Sequence, residues 1–281
     1  MAGGAASSAS QLSPDRIAGL QAECFAEDVD VPAEATQWSE ARLVAYLENG
    51  GAEPAGTSAE PLGRPARIAC LHGTAGNEKI FRIQLAKLLG ALKGEADCHF
   101  YAGANTIEPG NPHGHSMHKY FGQNEVLREY APPLSDADGR RVYEPQAAAD
   151  AIDDLESKII ASAGGCDVLL GFSQGANFAS MLAARRASGL GPLSSPRCLV
   201  LLAPARPGWA SQPAWRELFA SPIELPCLII GGACDDVAGT GPRELVALFR
   251  DARYLEHAEG HRPLPADREG AQVCPPSAVS W

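Results

Sequence analysis

One stretch constrains this chain more than any other: Cys166-Asp-Val-Leu-Leu-Gly-Phe-Ser-Gln-Gly175, followed by Ala-Asn-Phe-Ala-Ser-Met-Leu-Ala-Ala. A short apolar run (Val168 to Gly171) meets a turn spelling G-x-S-x-G, and a segment rich in Ala and Leu follows. The run reads as a strand and the Ala/Leu segment as a helix. Ser173 then sits on a sharp strand-to-helix turn that displays its hydroxyl above the strand end. Glycines at 171 and 175 leave no side chain to clash there. The five-letter pattern alone arises by chance in Gly-rich chains; a buried-type strand before it and a helix after it make it specific. Ser173 is therefore expected to be a nucleophile.

The flanking residues alternate strands and helices in the manner of a parallel sheet with crossover helices. Strands are expected at Ala66–Leu71, Asp97–Ala102, Val168–Gly171, Cys198–Ala203, Pro226–Gly231 and Arg253–Glu256. Helices are expected from Glu78 to about Lys93, from Gln146 to Ser162, after Ser173, and near Arg243 to Arg250. Between about Gly103 and Pro145 lies a long irregular excursion rich in Pro, Gly, His and aromatics, with the length of a lid. The expected class is α/β, a mostly parallel central sheet flanked by helices, over residues 65–281. Residues 1–64 read as a tail with one helix, Trp38 to Glu48, and a Gly/Pro-rich linker from Asn49 to Pro65. Trp38, Leu43, Val44 and Leu47 share one face of that helix. It is expected to pack on the main domain, with docking of a protein partner as the alternative.

A serine hydroxyl needs a base to take its proton, and the base needs a carboxylate to fix its tautomer. In chain order the acid and then the histidine follow the serine. Gly231-Gly-Ala-Cys-Asp-Asp236 puts Asp235 on the loop leaving a buried strand, with Asp236 beside it. Glu256-His-Ala-Glu-Gly-His261 offers two histidines. Gly260 permits the turn that would swing His261 toward Ser173, whereas His257 lies too near the strand and reads as structural. The oxyanion would take the backbone N–H groups of Gln174 and, from the first strand-to-helix loop, Thr74. His72 reads as a loop-shaping residue.

Leu71-His-Gly-Thr-Ala-Gly-Asn-Glu-Lys-Ile-Phe81, Gly171-Phe-Ser-Gln-Gly-Ala176, Gly232-Ala-Cys-Asp235 and Glu256-His-Ala-Glu-Gly-His261 together resemble the FSH family of serine hydrolases, over roughly Ala66 to Pro265. The resemblance implies an α/β-hydrolase fold, a triad of Ser173, Asp235 and His261, and hydrolysis of carboxylic esters or thioesters. Some fungal relatives release chains from polyketide synthases. The chain departs from the family in three places. Gly76 stands where Gln is usual, Asp235 lacks the Val-Pro that usually follows, and no helix is evident after His261.

Esters of small or acyl-chain substrates are the expected substrates. The alternatives are thioesters of CoA or a carrier protein and, in another class, a non-catalytic protein using the pocket as a ligand receptor. Met117, Tyr120, Phe121, Trp209 and Trp215 are candidates for lining an apolar acyl pocket. His113, His115 and His118 crowd one stretch of the excursion, but no carboxylate lies beside them and the serine mechanism requires no metal. No metal and no cofactor are expected. A formal net charge of -11 argues against binding nucleic acid or an anionic membrane, and no apolar run has the length of a membrane span. The 8 cysteines form no CxxC pair, and five of them (Cys70, Cys98, Cys166, Cys198 and Cys227) stand in or beside strand-like runs as small hydrophobes. Met1 to Ser10 has neither the charged start nor the apolar core of a signal peptide. A cytoplasmic protein is expected.

Overall fold

The computed structural model describes residues 13–23, 30–31, 43, 46–47, 63–108, 110–193, 196–265 and 271–272. The chain forms two compact units, Met1–Pro61 and Leu62–Trp281. In the first, helix α1 (Pro14–Glu23) starts at Ser13, whose hydroxyl accepts from the Arg16 amide at 3.2 Å. Serine before a first-turn proline is a helix-start signal that the reading of residues 1–64 as a tail with one helix passes over. Of the helix expected over 38–48, Leu43, Tyr46 and Leu47 are helical and buried. Its remaining residues, and most of the linker, lie outside the described residues.

The second unit runs β1 (Ala66–Leu71), α2 (Glu78–Gln84), α3 (Ala86–Ala91), β2 (Ala96–Tyr101), β3 (Asn105–Thr106), α4 (Pro112–Phe121), β4 (Arg128–Glu129), β5 (Leu134–Ser135), β6 (Arg141–Val142), α5 (Pro145–Ala163), β7 (Val168–Phe172), α6 (Gln174–Ala187), β8 (Cys198–Leu202), β9 (Cys227–Gly232), α7 (Gly241–Leu245), β10 (Ala252–His257) and β11 (Ala271–Gln272). The main sheet has the order β11-β10-β9-β8-β7-β1-β2. Every pairing in it is parallel except that of β11, which runs antiparallel beside Glu256 and His257. This is the mostly parallel α/β architecture that the alternation of elements implies. The chain meets the sheet edge after His261 with a short strand.

The central strands β7, β8 and β9 are continuous apolar runs because both of their faces are covered. Ala69, Leu71, Leu169, Leu199, Leu201 and Ile229 face one way, into a core shared with Ile152, Leu155 and Ile159 of α5 and Phe178 and Leu182 of α6. Ile68, Cys70, Leu170 and Leu202 face the other way, onto Phe81 and Leu85. Alternation with a period of two thus divides one apolar strand between two cores. The start of β7 is pinned by Asp167. Its carboxylate accepts from the Arg67 amide at 2.8 Å and from both terminal nitrogens of Arg64 at 2.8 and 2.9 Å. The Arg64 guanidinium is the chief reason that the carboxyl is pulled down to about 2.

Helix α5 shows ordinary end chemistry. Glu144 caps it by accepting from the Gln146 and Ala147 amides, Pro145 opens it, and Gly164 closes it at φ 63°. The helix expected from Glu78 to Lys93 is instead two, broken at Leu85 (φ -94°, ψ 8°), whose side chain is fully buried in the cluster containing Phe81. The excursion is also more ordered than its composition suggests. It holds α4 and two small antiparallel ladders, β3 with β4 and β5 with β6. His113, His115 and His118 therefore lie on a helix and not on a loop. The sheet register aligns the carboxyl ends of β1, β7, β8 and β9, the edge at which ligands bind in such sheets.

Candidate active site

Ser173 joins β7 to α6 at φ 52° and ψ -114°, in the region that disfavours residues with a side chain. Its amide donates to the Leu202 carbonyl at 2.8 Å, which ties the turn to β8. A methyl group on Gly171 would overlap the Gly175 carbonyl. One on Gly175 would overlap the Leu71 carbonyl and lie 2.6 Å from the His72 oxygen. Both glycines are thus required by backbone packed against backbone, which holds the serine in its strained position.

His261 Nε2 lies 3.0 Å from Ser173 Oγ, and its Nδ1 lies 2.8 Å from Asp235 Oδ2. The other Asp235 oxygen accepts from the Val237 and Ala238 amides at 3.0 and 2.8 Å. Burial opposes ionisation of Asp235, but the hydrogen bond and charge of His261 and the two amides outweigh it and hold the carboxyl below its usual value. An ionised carboxylate only accepts, so Nδ1 carries the imidazole proton and the Nε2 lone pair faces the serine hydroxyl. Asp236 next door is exposed. His257 is buried at the end of β10, where its Nδ1 accepts from the Glu259 amide at 3.2 Å.

Above these groups is a cavity of about 280 Å³, with Thr74, Met117, Arg141, Tyr143, Asn177 and Val237 among its walls, together with Ser173, Gln174 and His261. Among the described residues, the Thr74 and Gln174 amides make no hydrogen bond with backbone. Both residues border the same cavity as the serine hydroxyl.

A family model described as "Serine hydrolase (FSH1)" matches residues 62–272. The chain belongs to the FSH1 serine hydrolase family. It is 35% identical over 119 residues to esterase FPY3 of Fusarium mangiferae, a match covering 42% of this chain and 49% of that one, so it spans about half the length of that relative. It is 28% identical over 207 residues to human esterase OVCA2, covering 70% of this chain and 89% of that esterase. The crystal structure of esterase PE8 superposes with a TM-score of 0.50 at 20% identity, over 77% of this chain and 91% of that one, which supports the α/β-hydrolase fold.

Two buried polar side chains of the elbow helix tie this FSH1-family site to the excursion. Gln174 Oε1 accepts from the Tyr130 amide at 2.8 Å and its Nε2 donates to the Ala131 carbonyl at 2.7 Å. Three residues on, Asn177 Nδ2 donates to the Tyr143 hydroxyl at 2.9 Å, and Asn177 Oδ1 accepts from the Ala205 amide at 3.2 Å. Sequence reasoning passed over these side chains. The available signal was two amides spaced i, i+3 in a helix otherwise built of small and apolar residues.

The residues expected to line the pocket lie in different surroundings. Met117 lines the cavity. Tyr120, however, is 76% exposed, and Phe121 packs with Ile80, Ile107 and Leu127 in a small cluster holding α4 to the body. Trp209 is fully buried in the main core with its ring edge-on to Phe219 at 5.1 Å, and Trp215 is buried in the same core. Both indoles stabilise the fold, and neither borders the cavity. His118 Nδ1 pairs with the Gly122 carbonyl at 3.0 Å, and His115 is exposed on the same helix. Among the described residues no group of three His, Cys, Asp or Glu side chains is placed to hold a metal. Among those residues, too, no helix is long and apolar enough to cross a membrane.

His72 locks the loop that carries Thr74. Its Nδ1 donates to the Gly73 carbonyl at 2.7 Å and its Nε2 accepts from the Gly103 amide at 3.1 Å, while the ring stacks on Tyr130. Burial pushes its pKa down to about 4, against the pull of the Gly73 carbonyl. Below pH 6.5 the unfolded chain binds a proton at this position that the folded one refuses. Stability is therefore complete above that pH and declines from about 6.5 toward about 4, by roughly 3 kcal/mol. Urea unfolding at pH 7 and pH 4.5 should show this decline, and His72→Gln, though less stable, should show a flatter one. Equal slopes in the two proteins would exclude His72 as the cause.

Proposed function

We propose that this serine hydrolase cleaves carboxylic esters through an acyl-enzyme on Ser173. The unbroken line from Ser173 Oγ to His261 Nε2 and from His261 Nδ1 to Asp235, opening on a cavity, is the observation that supports this most. Ser173 Oγ attacks the acyl carbon as its proton passes to His261 Nε2. Asp235 stabilises the imidazolium without taking its proton. The Thr74 and Gln174 amides receive the oxyanion, each such donor contributing on the order of 3 kcal/mol in the transition state. His261 then protonates the leaving alkoxide, and water repeats the sequence in reverse to free the acid. The same acyl-enzyme would form from a thioester, so the ester reading is tested against matched thioesters. Buried thiols such as Cys70 and Cys227, held in the sheet without a disulfide, support a reducing compartment such as the cytoplasm.

The deciding experiment is labelling with a fluorophosphonate, which phosphonylates only an activated serine. Wild type is expected to label and Ser173→Ala not to. A folded wild type that stays unlabelled would sink the hydrolytic role of Ser173. An ester and thioester panel then ranks the substrates.

A further inference from the structure

The cavity is bordered by a cation for which the described residues supply no partner. Arg140, Arg141 and Arg206 converge at β6 and the loop after β8, where the Arg141 amide donates to the Arg206 carbonyl at 3.0 Å. Glu244 takes two of them: Arg140 at 2.7 Å on one oxygen and Arg206 at 3.0 Å on the other. Side chains alternate along an extended strand. A methyl group on Gly208 would meet Arg140 Cβ at 2.8 Å and Val142 Cγ1 at 3.0 Å, so those two residues face the body. Arg141 and Tyr143 take the other face, and both line the cavity with Ser173 and His261. Among the described residues the Arg141 guanidinium has no hydrogen-bonded or ionic partner. Its positive charge is nevertheless felt at the Tyr143 hydroxyl, the group that Asn177 holds at the cavity wall. In a chain of net charge -11, carboxylates abound to neutralise a surface arginine, yet this one is left open beside the proposed nucleophile.

We propose that Arg141 is a specificity-determining residue that takes an anionic group of the substrate, so that the esters turned over best carry a free carboxylate. Guanidinium and carboxylate match in shape and charge, and their hydrogen bonds are among the strongest a protein makes. A cavity of about 280 Å³ lies at the lower end of ligand pockets, which run from ~300 Å³ upward. Ester and carboxylate therefore belong to one short molecule. The inference rests on the ester-hydrolase reading above, and its test keeps the two separable.

The test uses the full chain, Arg141→Gln, and Arg141→Lys, which retains the charge. Proton release is followed on monomethyl glutarate against its uncharged isostere methyl glutaramate, and on acetylglycolate against acetylglycolamide. The first pair places the charge on the acyl side and the second on the alcohol side. Wild type is expected to prefer the charged member of one pair by about tenfold to a hundredfold in kcat/KM. R141Q should lose that preference and R141K should keep part of it. Turnover of both pairs without a preference overturns the proposal and needs no variant to be read. A preference that survives R141Q overturns it equally. Glutarate's effect on thermal unfolding is measured in parallel, because it requires no turnover. Stabilisation of wild type that R141Q lacks supports the anion site even where Ser173 fails to label. A labelled Ser173 with neither ester preference nor glutarate effect removes the anion site and leaves the hydrolase reading standing.

Discussion

His261→Ala is expected to lower kcat by on the order of 10⁶, with Ser173→Ala doing the same and the double variant scarcely worse, since the two act as one unit. Asp235→Asn should cost on the order of 10⁴. The Val237 and Ala238 amides both point at Asp235 Oδ1, so an asparagine would turn its carbonyl toward them and its NH₂ toward His261. A donor would then face Nδ1. The imidazole would accept there and carry its proton on Nε2, where the Ser173 hydroxyl requires a lone pair. Rates on an activated aryl ester, corrected for background hydrolysis, check the series. A His261→Ala protein retaining a tenth of wild-type kcat would show that some other base serves Ser173.

A large loss of stability is expected at Gly175. Alanine there drives a methyl group into the Leu71 carbonyl and to within 2.6 Å of the His72 oxygen. The Leu71 oxygen cannot retreat, because β1 is hydrogen-bonded between β7 and β2. The expected cost is ~3 kcal/mol or more, enough to abolish folding in a domain of ordinary stability. Gly90 is the control. It lies within α3 with nothing inside 4 Å of an added methyl group, so Gly90→Ala should stabilise the protein by about 1 kcal/mol. Denaturant midpoints of the two variants, shifted in opposite directions, would separate the close packing of the elbow from a general intolerance of alanine.

The central parallel strands were legible in the sequence because covering both faces leaves an uninterrupted apolar run, as at 168–172 and 198–202. Helix α4 was not legible. Its sequence, Pro-His-Gly-His-Ser-Met-His-Lys-Tyr-Phe, has no apolar period, and what holds it is contact between Met117 or Phe121 and a cluster containing Ile80 and Leu127, residues brought near only by folding. The tryptophans misled for a related reason. An indole suits a pocket wall and a core equally well, and only the surroundings of Trp209 and Trp215 decide between them. The open charge on Arg141 was hidden most deeply. A sequence shows three arginines, but not that Glu244, about a hundred residues further on, is spent on the other two.

Gln174 grips the excursion by the Tyr130 amide and the Ala131 carbonyl, groups that every residue but proline carries. These two bonds take main chain alone, while Asn177 adds one to a side chain, the Tyr143 hydroxyl. A replacement segment that kept those two main-chain groups and a hydroxyl for Asn177 could differ elsewhere in length or polarity without breaking the bonds to the elbow helix. The backbone packing that fixes Ser173 is thus separate from much of the cavity wall, and the second can vary in sequence while the first is left alone.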